Sequence, residues 1–106
     1  MRAIETPFGR VAFTRETHRH ISRRGHRPVN PDDIRDAMNA GHYEIIGKRP
    51  SAWKGAKAVN IIVLCAIGAT NLLVVLKSVE RERKLLCITA YEPRPAQVAK
   101  WRGFEV

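Results

Sequence analysis

Residues 58–67, Ala58-Val59-Asn60-Ile61-Ile62-Val63-Leu64-Cys65-Ala66-Ile67, and residues 71–79, Asn71-Leu72-Leu73-Val74-Val75-Leu76-Lys77-Ser78-Val79, form the most apolar part of this chain. Taken as one stretch, Val59 to Leu76 matches the shortest membrane-spanning helices in length. The stretch contains Asn60, Gly68, Thr70 and Asn71, and its middle reads as a turn. Two buried strands joined as a hairpin is the better account, and no membrane association is expected. A third run rich in apolar residues covers 84–91, after Glu80-Arg81-Glu82-Arg83. His42-Tyr43-Glu44-Ile45-Ile46 reads as a strand ahead of them. Gly47-Lys48-Arg49-Pro50-Ser51-Ala52-Trp53-Lys54-Gly55, with its Gly and Pro, reads as a polar loop. The result is a meander of four antiparallel strands.

Two helices are expected before the sheet. Asn30-Pro31-Asp32-Asp33 opens the clearer one: Asn30 can cap, Pro31 suits the first helical position, and two Asp meet the positive end of the dipole. Ile34, Ala37 and Met38 give an apolar stripe, and Gly41 ends it. The earlier helix starts near Thr14 and runs to Arg24, with Gly25 past its end. Gly9 to Thr14 reads as a short first strand or an extended lead-in, and Pro95 to Trp101 as a last turn or two of helix. The fold class expected is α+β, two N-terminal helices packed on one face of a four-stranded antiparallel sheet. The other face is then the natural place for a partner or substrate.

The chain has 106 residues, enough for a single domain over 1–106. Nineteen Lys and Arg oppose ten Asp and Glu, a formal charge of +9. That surplus points to a polyanionic partner, nucleic acid first. Cys65 and Cys87 sit in apolar runs without C-x-x-C spacing, as buried thiols do in a reducing compartment. No signal peptide is visible near Met1, so the expected location is cytoplasmic. No His pair has the company of a metal site, so neither metal nor cofactor is expected.

On the first helix, Glu16, His20 and Arg24 fall at i, i+4 and i+8 on one stripe. A carboxylate can orient an imidazole, the imidazole can move a proton near neutral pH, and a guanidinium can bind phosphate. A solvated charge ladder has the same spacing. On the last strand, Thr89 and Tyr91 share a face, suited to donating hydrogen bonds to phosphate or simply to a wet strand face. His18, Arg23 and His26 add basic groups around the first helix. Trp53 beside Lys54 sets an aromatic next to a cation, a pairing useful for single-stranded nucleic acid.

His20-Ile21-x-x-Arg24-Gly25, the Pro31-Asp32-Asp33-Ile34 helix and the closing Ile88-Thr89-Ala90-Tyr91-Glu92-Pro93 resemble an uncharacterised RelE-like domain family. That family belongs to the barnase–EndoU–colicin–RelE assemblage of metal-independent ribonucleases, and the similarity covers roughly residues 13–93. The resemblance implies a RelE-like fold and a toxin-like endoribonuclease that uses the RNA's own 2′-hydroxyl as nucleophile. The family's functional positions fall on Glu16, His20, Arg24, Thr89 and Tyr91. His20 would carry the proton, Glu16 would orient it or act as base, and Arg24 with Lys54 would counter charge on phosphorus. Partners implied are RNA, free or on the ribosome, and an acidic antitoxin or immunity protein. Two rival functions share these features: a non-catalytic nucleic-acid- or ribosome-binding module, and a gyrase-type protein poison.

Overall fold

The computed structural model describes residues 2–23, 29–53, 56–80 and 82–102, and the side chains of all of these except 22–23, 51–53, 56–57 and 101–102. Strands β1 (Arg2–Thr6) and β2 (Gly9–Phe13) come first, then helices α1 (Arg15–Arg23) and α2 (Pro31–Asn39). Strands β3 (Tyr43–Trp53), β4 (Ala56–Ile67), β5 (Thr70–Val79) and β6 (Lys84–Tyr91) follow, and α3 (Pro95–Arg102) is last. The strands form one mixed sheet in the order β1-β2-β6-β5-β4-β3.

This corrects the expectation of two helices on a four-stranded antiparallel sheet: there are six strands and three helices among the described residues. The N-terminal stretch folds as a hairpin: the short strand expected from Gly9 is β2, and β1 before it is the strand the sequence does not announce. Its turn is held by Thr6, whose hydroxyl accepts from Phe8 N at 3.1 Å and donates to Gly9 O at 2.9 Å. Gly9 sits at φ +116°, open to glycine alone without strain. The sheet is mixed because β2 runs parallel to β6, pairing Val11 with Leu85 and Ala12 with Leu86. The chain leaves β2, lays both helices on one face, and re-enters at the far edge as β3.

Residues 47–53, expected as loop, continue β3. Pro50 is tolerated there because β3 is an edge strand, where a missing N–H removes no ladder bond on the open side. A bulge between Ile45 and Gly47 makes Ile46 the extra residue and sets Gly47 against Ile62, so the alternation of β3 shifts by one from there on. The hairpin expected at Gly68 is present: Gly68, at φ +61°, takes the first central position of the two-residue turn between Ile67 and Thr70.

Both N-terminal helices follow their local signals. Thr14 Oγ1 accepts from Thr17 N at 3.1 Å, and Asn30 Oδ1 accepts from Asp32 N at 3.0 Å. Gly41, at φ +77°, follows α2. Ile21 from α1 and Ile34, Ala37 and Met38 from α2 are buried on one face of the sheet with Phe13, Val63, Cys65, Val74, Leu76, Cys87 and Ala90. Phe13, Ile21, Ile34 and Met38 are almost wholly enclosed, and each such side chain contributes roughly 1.5–3 kcal/mol over leaving it in water.

Arg2 of β1 pairs with Asp32 of α2, and Arg35 reaches Asp32 at 3.1 Å and Asp36 at 2.9 Å. The hydrogen bond from Arg2 holds the Asp32 carboxyl below its ordinary value. Cys65 and Cys87 are free, lie on β4 and β6 with β5 between them, and burial pushes both thiols up to about 12. No helix among the described residues is long and apolar enough to cross a membrane.

Candidate nucleic-acid interface

Strand β5 supplies core to both faces of the sheet. Leu72, Val74 and Leu76 face the helices α1 and α2, while Leu73 and Val75 join Ile46 and Ile62 on the opposite face. On that opposite face Ile46, Ile62, Leu73 and Val79 are fully buried, and Val75 and Ala58 nearly so. Val98 of α3 packs on it beside Leu64 and Tyr91, and α3 starts with Arg94 N donating to Gln97 Oε1 at 2.8 Å.

Beyond the apolar cluster, the same face turns polar. Asn60 on β4 lies two residues before Ile62 and therefore shares its face. Arg49 on β3 and Lys77 on β5 are its register partners on either side. Their Cα atoms are about 10 Å apart, two strand spacings. Arg49 is exposed and Lys77 half-buried. Lys84 on β6 pairs with Val79, two residues on from Lys77, so a third cation stands on this face. Asn60 is half-buried, yet its Oδ1 is enclosed and has no hydrogen-bond partner.

Thr89 and Tyr91 belong here too. Thr89 pairs with Val75 and Tyr91 with Leu73, both members of the opposite-face cluster. A bulge sets this geometry: Leu76 pairs with Cys87 and Val75 with Thr89, leaving Ile88 as the extra residue. Ile88 is 40% exposed and is not part of the buried core. Thr89 and Tyr91 do share a face, as their spacing predicts, and each has an interaction partner.

The other half of the expected catalytic set is elsewhere. Helix α1 packs against β6 through Ile21, on the face that holds α2. Its i, i+4 stripe of Glu16 and His20 is exposed, with Arg15 and Arg19, and His18 is half-buried. The sheet thus divides Glu16 and His20 from Thr89 and Tyr91. The cause is simple: Ile21 must be buried, and one turn of helix then carries Glu16 and His20 outward. Arg24, His26 and Lys54 lie outside the described residues, as do the side chains of Arg23 in α1 and Trp53 in β3. Among the described residues, no three His, Cys, Asp or Glu side chains are grouped as metal ligands.

Arg49, Asn60 and Lys77 carry no local motif. Arg49 sits in a stretch that reads as loop, Asn60 and Lys77 are isolated polar residues in apolar runs, and only strand register aligns them. In the sequence, the single hint is that Asn60 interrupts the apolar run 58–67.

A shallow hollow of about 300 Å³ continues the same face at its other end, lined by His42, Tyr43, Glu44, Leu64, Ala66 and Asn71. Comparisons with protein-family models, with curated proteins and with solved structures found no match for this chain.

Proposed function

We propose that this chain is an RNA-binding domain that grips the phosphodiester backbone on the sheet face carrying Arg49, Lys77 and Lys84, and that it cleaves RNA there as a toxin-like, metal-independent endoribonuclease. The observation that carries the proposal is the register of Arg49 and Lys77 about Asn60, with the hydroxyls of Thr89 and Tyr91 on the same face. Cations spaced across one sheet face neutralise neighbouring phosphates, and the chain's charge of +9 draws a polyanion to it.

Cleavage rests on the resemblance and on the hydroxyls. The RNA's 2′-hydroxyl gives its proton to water as it attacks the neighbouring phosphorus, and a 2′,3′-cyclic phosphate forms. The bond to the 5′-oxygen breaks and that oxygen takes a proton from water, while negative charge grows on the non-bridging oxygens. Lys77 and Arg49 counter that charge, and Tyr91 and Thr89 donate hydrogen bonds to it. His20 and Glu16 take no part in this version, because they stand on the helix side of the sheet. The test is incubation of the pure protein with RNA, with and without chelator: strand scission that survives chelator and disappears in Lys77→Ala supports the reading.

A second reading, a non-catalytic RNA- or ribosome-binding module, is favoured by the division of the helix imidazole from the strand hydroxyls. It expects salt-sensitive binding to the same face and RNA that stays intact.

A further inference from the structure

We propose that Asn60 reads the ribose 2′-hydroxyl of a strand bound at this face, and so selects RNA over DNA; the proposal rests on the nucleic-acid reading and adds its discrimination. Among the described residues, Asn60 Oδ1 is the buried side-chain oxygen left without a hydrogen-bond donor. Such an acceptor has lost its water and gained nothing in return, an arrangement that folding alone disfavours.

Its position explains what could repay that loss. Asn60 stands between Arg49 and Lys77, the two cations suited to hold phosphates. A ribose joins each phosphate to the next. Oδ1 is enclosed, so a bound strand must shift the groups over it before a ribose reaches it. In RNA the 2′-hydroxyl then supplies the missing donor. Deoxyribose offers only C–H at that position, and a 2′-O-methyl group offers an oxygen without a proton.

Local preference argues the same way. β4 is an interior strand of Ala, Val, Ile, Leu and Cys around this residue, and Asn is depleted in strands. Its strand neighbours on this face, Ala58 and Ile62, have no side-chain donor to offer it. A residue that breaks the local rule with no gain in packing is accounted for by binding.

The experiment compares one RNA oligonucleotide with its 2′-deoxy and 2′-O-methyl counterparts by fluorescence anisotropy, with strand integrity checked on a gel. Wild-type protein is expected to bind RNA roughly tenfold tighter than either counterpart, the loss expected when a buried acceptor stays unpaired. Asn60→Val should bring all three affinities within about twofold of one another, while Arg49→Ala weakens all three alike. Equal wild-type affinity for RNA and both counterparts overturns the proposal, and so does an RNA preference that persists in a folded Asn60→Val. Should that variant not fold, the wild-type ranking of the three oligonucleotides decides by itself. Failure to bind any of the three removes the nucleic-acid reading, and this proposal with it.

Discussion

Arg49 and Lys77 pair with the same residue, Asn60, one from each flanking strand, which puts two cations about two strand spacings apart on one sheet face. Arg49→Ala and Lys77→Ala are each expected to weaken RNA binding about tenfold at moderate salt. Each should also lower the slope of log affinity against log salt by about 0.7, the value for one contact to a single strand. Arg19→Ala, on the exposed side of α1, should change that slope by less. Titrations at several salt concentrations check this.

Tyr91 and His20 stand on opposite faces of the sheet, so their variants act differently on cleavage. Tyr91→Phe keeps the ring against Leu73 and removes only the hydroxyl. Any RNA cleavage should fall about a hundredfold in that variant, the scale of losing one positioned proton or hydrogen-bond donor. His20→Ala should leave the rate within a few-fold of wild type. Single-turnover cleavage rates for the two variants decide between the sheet face and the helix stripe.

Acid should loosen the tie between β1 and α2. The Asp32 carboxyl is held below its ordinary 3.8, first by the hydrogen bond from Arg2. The unfolded chain therefore takes up the proton before the folded one does. The contribution to stability is complete above about 3.8 and is lost as pH falls through the lower folded value. Urea unfolding between pH 6 and pH 2 should show this limb, and Asp32→Asn should flatten it.

Alkali acts through the thiols. Burial pushes Cys65 and Cys87 up to about 12 from an ordinary 9.0. Above 9 the unfolded chain releases thiol protons that the folded chain keeps, so stability falls as pH rises past 9. In the folded protein at pH 8 both thiols should react with a disulfide reagent far more slowly than in urea. Absorbance of the released thiolate measures both rates.

Leu76 is fully enclosed on the helix side of β5. Leu76→Ala should cost about 2–5 kcal/mol, the range for deleting a buried leucine and leaving a cavity. Lys77→Ala, next to it on the other face, should cost far less because Lys77 is half-buried and its partners are cross-strand neighbours. Urea unfolding of the two variants tests the assignment of faces residue by residue.

Local chemistry made several elements legible. Asn30-Pro31-Asp32-Asp33 satisfies the free N–H groups and dipole of a helix start, so α2 began where its sequence places it. Gly68 and the Val, Ile and Leu on either side of it specified the β4–β5 hairpin, and a spacing of two put Thr89 and Tyr91 on a common face. Distant pairing decided the rest. Arg2–Thr6 is too short to be a strand until β2 lies beside it, and Pro50 is admissible in β3 only because that strand has an open edge. The parallel match of β2 to β6 depends on where two helices return the chain. Arg49, Asn60 and Lys77 come from three strands, and no spacing along the chain relates them. Ile21 likewise settled where His20 points, since a helix must bury its apolar side and the sheet then stands between that imidazole and Tyr91. Backbone preference acts over a few residues, whereas burial and register act across the whole sheet, and the candidate site belongs to the second kind.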